Sequence, residues 1–123
     1  MALVLIADDE PLQRVLVHET LADKPGVTLI EVENGEQALH CVYTQHPGLV
    51  ILDVSLAKVD GLEICRRIKA DPVLGTIPII LLSADPDEIA GRAAGCDAYV
   101  VKPYDTGQLE AIVAKLLGTT DRR

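Results

Sequence analysis

The groups in this sequence that can do acid, metal or phosphate chemistry fall at four places: Asp8-Asp9-Glu10, Asp53, Ser83 and Lys102-Pro103. Each follows a short apolar run: Ala2 to Ala7, Leu49 to Leu52, Ile77 to Leu82 and Ala98 to Val101. Short runs rich in Val, Ile and Leu suit parallel strands buried on both faces. In one sheet they would bring carboxylates, a hydroxyl and an ammonium group to a single rim. Capping of the next helix explains a lone acid at a strand end. It does not explain Asp53, because the next cap signal is as far away as Asp60. Two carboxylates about 4 Å apart repel by roughly 4 kcal/mol at an effective dielectric of 20. Asp8, Asp9 and Asp53 together therefore call for a cation, and an acid cluster with few other ligands suits Mg2+, which keeps several waters and accepts phosphate oxygens. A carboxylate beside that cation is a candidate phosphoryl acceptor. Lys102 would supply a second positive charge, and the Ser83 hydroxyl a hydrogen bond to a further phosphoryl oxygen.

The elements that must position these groups are legible in the same pattern. A fifth apolar run, Val27 to Val32, is partly alternating, as an edge strand would be. Between the runs, Asn34-Gly35-Glu36-Gln37, Asp60-Gly61-Leu62-Glu63, Asp85-Pro86-Asp87-Glu88 and Asp105-Thr106-Gly107-Gln108 place Asn or Asp three residues before Glu or Gln. That spacing is the capping box, a helix start. Pro11 and Pro86 fit a first helical turn, and Pro47 and Pro72 follow helix ends. Leu109, Ile112, Val113, Leu116 and Leu117 form one apolar stripe at helical spacing. Ala38, Leu39 and Val42 mark a second helix, Ile64, Cys65 and Ile68 a third, and Leu16, Val17 and Leu21 the expected stripe of the first. The fold class is α/β: a (βα)5 doubly wound five-stranded parallel sheet in the order 2-1-3-4-5. Residues 1–118 read as one domain, and 119–123 as a polar C-terminal tail or linker stub. Ligands in such sheets bind beyond the carboxyl ends of the strands, where the strand order reverses.

Composition narrows the function. With 123 residues, 49% hydrophobic and 24% charged, the chain is one globular domain and not a disordered segment. It has no Trp and no Phe, so its core must be aliphatic. Lys and Arg number 11 against 19 Asp and Glu, a net charge of -8, which argues against a nucleic-acid surface and against an anionic membrane as partner. No apolar run approaches the ~18 residues of a membrane span, and Met1 to Ala7 lacks the basic flank of a signal peptide. Three cysteines, Cys41, Cys65 and Cys96, form no CxxC, so the expectation is a cytoplasmic protein with reduced thiols.

Five stretches, in order, resemble the response-regulator receiver domain of two-component signal transduction systems: Leu5-Ile6-Ala7-Asp8-Asp9-Glu10, Ile51-Leu52-Asp53, Val59-Asp60-Gly61-Leu62-Glu63, Leu82-Ser83-Ala84, and Ala98-Tyr99-Val100-Val101-Lys102-Pro103. The resemblance covers essentially the whole chain. It implies a flavodoxin-like receiver fold and a phosphoacceptor switch. A phosphoryl group would pass, with Mg2+ as cofactor, from a phosphohistidine kinase or a small acyl phosphate to Asp53. Asp9 would bind the metal directly and Asp8 more through water, with Asp53 and the backbone carbonyl of Ser55 completing the protein ligands. Lys102 would be the phosphate-binding lysine, on a cis bond to Pro103, and Ser83 and Tyr99 the switch pair. Phosphate on Asp53 would draw the Ser83 hydroxyl inward and let Tyr99 rotate into the vacated space. The surface of the fourth helix, fifth strand and fifth helix would then change for a partner to read. The implied partners are a sensor histidine kinase or phosphotransfer protein on one side, and an output partner or output domain on the other. Such a domain is a regulator that catalyses its own phosphorylation and dephosphorylation, not an enzyme acting on other molecules.

Some positions depart from the family. Ala57 stands where the loop after the acceptor usually has Pro, which implies a looser loop. Ala98 and Ile112 replace the Asp and Arg of members that dimerise through their last helices. Ser55 and Asp85 flank the family's approach for hydrolytic water, and so are expected to set phosphoryl lifetime. Family members dock their kinase near the first helix, where Leu12 and Val15 lie.

Of the quieter residues, His18, His40 and His46 have no metal-site spacing and read as surface positions, and Arg66-Arg67-x-Lys69 as a solvated helix face. Cys65 falls on the core face of its helix, and Cys41 and Cys96 are expected to be more exposed.

Rival functions meet local obstacles. A haloacid-dehalogenase-like phosphatase needs Asp-x-Asp, and here Ser55 stands two residues after Asp53. A flavin phosphate would meet Asp8-Asp9-Glu10 where it needs free N–H groups. The remaining alternative is a receiver-like protein-interaction scaffold that is not phosphorylated in the cell, against which the complete acid, Ser and Lys set argues.

Overall fold

Five strands alternate with five helices in a computed structural model that describes residues 2–121. In chain order they are β1 (Ala2–Ala7), α1 (Pro11–Leu21), β2 (Val27–Val32), α2 (Gly35–Gln45), β3 (Leu49–Asp53), α3 (Gly61–Ala70), β4 (Ile79–Ser83), α4 (Ile89–Ala93), β5 (Ala98–Val101) and α5 (Thr106–Asp121). The strands form one parallel sheet in the order β2-β1-β3-β4-β5. β3 and β4 are buried along their whole length, as central strands covered on both faces must be. β2 is only partly buried at the edge.

Alternation along the strands divides the core in two. Val4, Ile6, Leu49, Ile51, Ile80, Leu82 and Val100 face α1 and α5, where Val17, Leu21, Leu109 and Val113 meet them. Leu5, Ala7, Val50, Leu52, Ile79 and Leu81 face Ala38 and Val42 of α2 and Ile64, Cys65 and Ile68 of α3. Full burial of each large aliphatic side chain is worth about 1.5–3 kcal/mol. Two or three of them outweigh the repulsion of a carboxylate pair, so the strands can hold acids at their ends.

The helix starts follow their caps in part. Asn34 Oδ1 accepts from Gln37 N–H at 2.9 Å and Asp60 Oδ1 from Glu63 N–H at 2.9 Å. Neither is a full capping box: Gln37 Oε1 accepts from Glu33 N–H, and Glu63 turns to Arg66 and Arg67. Pro11 opens α1 as expected. Pro86 does not open α4. The Asp85 and Asp87 carboxylates accept the N–H groups two residues ahead, of Asp87 and Ile89, so this stretch is a pair of side-chain-closed turns and α4 begins only at Ile89. β4 likewise starts at Ile79, not Ile77: the Ile77 N–H closes a turn onto the Leu74 carbonyl, and Pro78 has no N–H to give the ladder. Leu16 is 39% exposed, leaving Val17 and Leu21 as the buried stripe of α1. Cys41 and Cys96, expected to be more exposed, are buried like Cys65. The tail expected over 119–123 is helical as far as Asp121; Met1, Arg122 and Arg123 lie outside the described residues.

One glycine is required by a close approach at the site. A Cβ on Gly61 would stand 2.6 Å from the Asp53 carbonyl oxygen and 2.9 Å from Val54 Cα. The missing side chain lets α3 start directly against the strand end that carries Asp53. Gly61→Ala is expected to cost about 1–3 kcal/mol of stability, as overpacking against backbone does. The urea midpoint followed by circular dichroism measures it, and an unchanged midpoint would mean that the contact yields freely.

Candidate functional site

Strand register builds the site. Ala7 pairs with Leu52, so Asp8 and Asp53 leave the sheet side by side. Asp53 pairs with Leu82 and Ser83 with Val101, which places Ser83 and Lys102 at the same rim. The ladder continues beyond the last pairs through Asp8 N–H to Val32 O, Val54 N–H to Leu82 O and Lys102 N–H to Ser83 O. The functional side chains therefore stand on backbone that is already hydrogen-bonded.

Carboxylate oxygens of Asp8, Asp9 and Asp53 lie within 4.8 Å of one another, with Asp8 and Asp53 buried and Asp9 exposed. Lys102 Nζ stands 3.2 Å from Asp53 Oδ2 and 3.7 Å from Asp8 Oδ2. Asp53 Oδ1 accepts the Ser55 N–H at 3.2 Å, and Asp8 Oδ1 accepts the Glu10 N–H at 3.0 Å. Asp8 Oδ2 is buried with no hydrogen-bond donor of its own. Burial pushes the Asp8 carboxyl up to about 6, and the Asp53 charge adds to the rise; the Glu10 N–H and Lys102 oppose it. One ammonium group thus serves two crowded carboxylates. Three oxygen donors with one orphaned lone-pair set fit a hard divalent cation.

The remaining predicted residues gather beside this cluster. The Ser83 hydroxyl is buried and accepts the Asp85 N–H at 3.0 Å. The Tyr99 hydroxyl donates to the Asp85 carbonyl at 2.8 Å. Its ring lies on Gly91 of α4, where a Cβ would stand 2.6 Å from the ring edge. Ser83 and Tyr99 are therefore joined through Asp85. Ser55 is exposed at the loop after Asp53. The looser loop expected at Ala57 is tied down, since the Ala57 carbonyl accepts N–H groups from Gly35 and Val59. Lys102-Pro103 is cis. Ala98 and Ile112 pack against the core.

Three features have no signal in the sequence pattern. Arg14 Nη1 donates to the Asp8 carbonyl at 2.7 Å. Glu31 reaches Arg14 and His18 from β2. The Tyr104 hydroxyl is buried without a hydrogen-bond partner, its proton held above the usual range by burial and by the Asp8 charge. The cysteines are inert by contrast: burial raises all three thiols, Cys65 to about 12.

Comparison with known proteins agrees with the geometry. The family profile of the response regulator receiver domain matches residues 4–114. The chain is 38% identical over 122 residues to a probable transcriptional regulator, ycf27, of Cyanophora paradoxa, covering 96% of this chain and 49% of that protein. The signal receiver domain of a signal transduction histidine kinase from Syntrophus aciditrophicus superposes with a TM-score of 0.90 at 32% identity, covering 100% of this chain and 95% of that one. The receiver domain of a sensor histidine kinase from Pseudomonas aeruginosa PAO1, with a magnesium ion coordinated in its active-site cleft, gives 0.85 at 26% identity over 95% and 98%. The chain belongs to the response-regulator receiver domain family of two-component signalling. It spans about half the length of the curated relatives it matches. Among the described residues no helix is long and apolar enough to cross a membrane.

Proposed function

We propose that this chain is a phosphoacceptor switch in which Asp53 receives a phosphoryl group from a phosphohistidine or a small acyl phosphate. The observation that carries the reading is the Asp53 carboxylate at a strand end, one oxygen held by the Ser55 N–H and the other 3.2 Å from Lys102. A carboxylate oxygen of Asp53 forms a bond to phosphorus, and the bond from phosphorus to the donor's imidazole or acyl oxygen breaks. Lys102 stays beside the incoming phosphoryl oxygens. The Ser83 hydroxyl accepts from Asp85 and keeps its own proton to donate to one of them. Asp9 and Asp53, with Asp8 through water and the Ser55 carbonyl, would hold Mg2+. Bound there, the ion supplies neutralising charge for the phosphoryl oxygens.

A donor protein has a surface to meet. Leu12 (82% exposed), Val15 and Leu16 present apolar side chains on α1. Beside them a surface pocket of about 300 Å³ is lined by Gln13, Leu16, Ala84, Lys102, Pro103 and Tyr104. On the output side, a Ser83 hydroxyl drawn to phosphate loosens its hold on Asp85, the residue that also anchors Tyr99. The charge event at Asp53 thereby reaches the surface of α4, β5 and α5.

Intact-protein mass after incubation with acetyl phosphate and Mg2+ tests the reading. One phosphoryl group is expected, and none with EDTA. No gain from acetyl phosphate or from any phosphohistidine donor, and no binding of beryllium fluoride, would favour an interaction scaffold instead. Saturating Mg2+ should also raise the unfolding temperature, because the ion would bind only the assembled site. At a hundredfold excess over Kd the stabilisation is about 2.7 kcal/mol. No shift in a thermal melt would contradict the metal assignment.

A further inference from the structure

We propose that Arg14 is a positioning residue for the acid pair, with the Glu31 carboxylate set beside its guanidinium. The inference rests on the reading of Asp8 and Asp9 as cation-holding groups. Arg14 Nη1 donates at 2.7 Å to the carbonyl of Asp8, which belongs to the peptide unit joining Asp8 to Asp9. The orientation of that unit sets the directions in which both side chains leave the backbone. Asp8 N–H is fixed on the other side by the Val32 carbonyl. With Arg14 in place, both backbone polar groups of Asp8 are engaged just where the strand ladder stops.

A carboxylate stands beside Arg14. Its Nε is 3.7 Å from Glu31 Oε1, an ion pair beyond hydrogen-bond reach, and His18, one turn further along α1, lies on the other Glu31 oxygen. Glu31 pairs with Ile6 in the sheet, on the strand beside β1. The Arg14 side chain is 17% exposed and lies beneath Glu31 and His18, which face solvent more openly at 34% and 41%. The planar fork of a guanidinium reaches a carbonyl and a carboxylate at once; a lysine offers one point charge and cannot span both. The positive charge of Arg14 is directed at Glu31, which leaves orientation of the Asp8–Asp9 peptide as its contribution to the site.

Calorimetric titration with Mg2+ and phosphoryl uptake from acetyl phosphate, measured across Mg2+ concentrations, test this. Arg14→Met is expected to raise the Mg2+ Kd about tenfold, in the range found when groups that orient metal ligands are removed. Uptake at saturating Mg2+ should stay within about twofold of the unsubstituted chain, since the acceptor and Lys102 are untouched. Glu31→Gln keeps Arg14 and should raise Kd by a smaller factor, about threefold, and it serves if Arg14→Met does not fold. Val113→Ala, on the core face of α5, should lower stability with Kd unchanged. Arg14→Met and Glu31→Gln that bind Mg2+ like the unsubstituted chain would make the network only a strut between α1 and β2, and overturn the inference. An unsubstituted chain that binds no Mg2+ would overturn the reading of the site, and the inference with it.

Discussion

Asp53→Asn is expected to take up no phosphoryl group from acetyl phosphate and Mg2+ under conditions in which the unsubstituted chain should gain one. The amide lacks the anionic oxygen that attacks phosphorus, and of the acids at this rim Asp53 is the one nearest Lys102. Asp9 is exposed, and Asp8 has one oxygen tied to Glu10 and is pushed toward its protonated form. The variant should stay folded, because Asn keeps the acceptor for the Ser55 N–H. Two changes in charge oppose each other. Lys102 loses its nearer anion, while Asp8 loses a repelling neighbour. The net stability change should stay within about 1 kcal/mol. Intact mass reports the chemistry and a urea transition reports the fold. Uptake at an undiminished rate would move the acceptor elsewhere.

Asp8→Asn separates stability from metal binding. The Asp8 carboxyl titrates near 6 in the folded chain, against 3.8 as a free side chain, first because it is buried and then because Asp53 is close. Between those values the unfolded chain carries fewer protons than the folded one, so stability falls as pH rises. The contribution is fully present below about pH 4 and lost as pH passes through 6. The shift of about two units corresponds to roughly 3 kcal/mol. In EDTA at pH 8, Asp8→Asn should recover much of this, since an amide need not ionise and its oxygen still accepts from Glu10. Its unfolding temperature should rise by several degrees. Its response to Mg2+ should shrink or vanish, because one acid of the cluster is gone. Melts at pH 4 and pH 8, with and without Mg2+, check both halves. A variant less stable than its parent at pH 8 without metal would show that burial of the Asp8 charge is not a net cost.

The costs at this rim are carried by the core. Aliphatic strands fix Ala7 beside Leu52 and Leu82 beside Asp53. A side chain that follows such a pair has little freedom to move away from its neighbours. Crowded acids therefore persist where the same groups on loops would separate, and the crowding gives a cation something to relieve.

The order of elements and the residues at the rim follow from local pattern along the chain. Runs such as Leu49 to Leu52 and Ala98 to Val101 are short, apolar and rich in β-branched residues, as strands are, so the acid or lysine that follows each sits at a strand end. Periodicity is local, and β1, β2 and β5 come out with the bounds it gives. Gly61, beside Asp60 in the capping signal, is legible as a helix start but not as a close approach to Asp53. What only the tertiary structure decided depends on partners distant along the chain or on competition between local hydrogen bonds. Asp85 and Asp87 had two outlets, a helix cap or turns closed by their own carboxylates; the structure takes the turns, and α4 shrinks to Ile89–Ala93. Cys96, between α4 and β5, has no apolar stripe to announce it, yet it is buried in the core; Cys41, three residues after Ala38, was legible on the apolar face of α2. Arg14 reads as an ordinary helix residue until α1 lies across β1 and β2 and brings Glu31 to it. Residue type and spacing set what each segment can be, whereas contacts across the sheet set which side chain finds which partner, because those contacts exist only once the layers are packed.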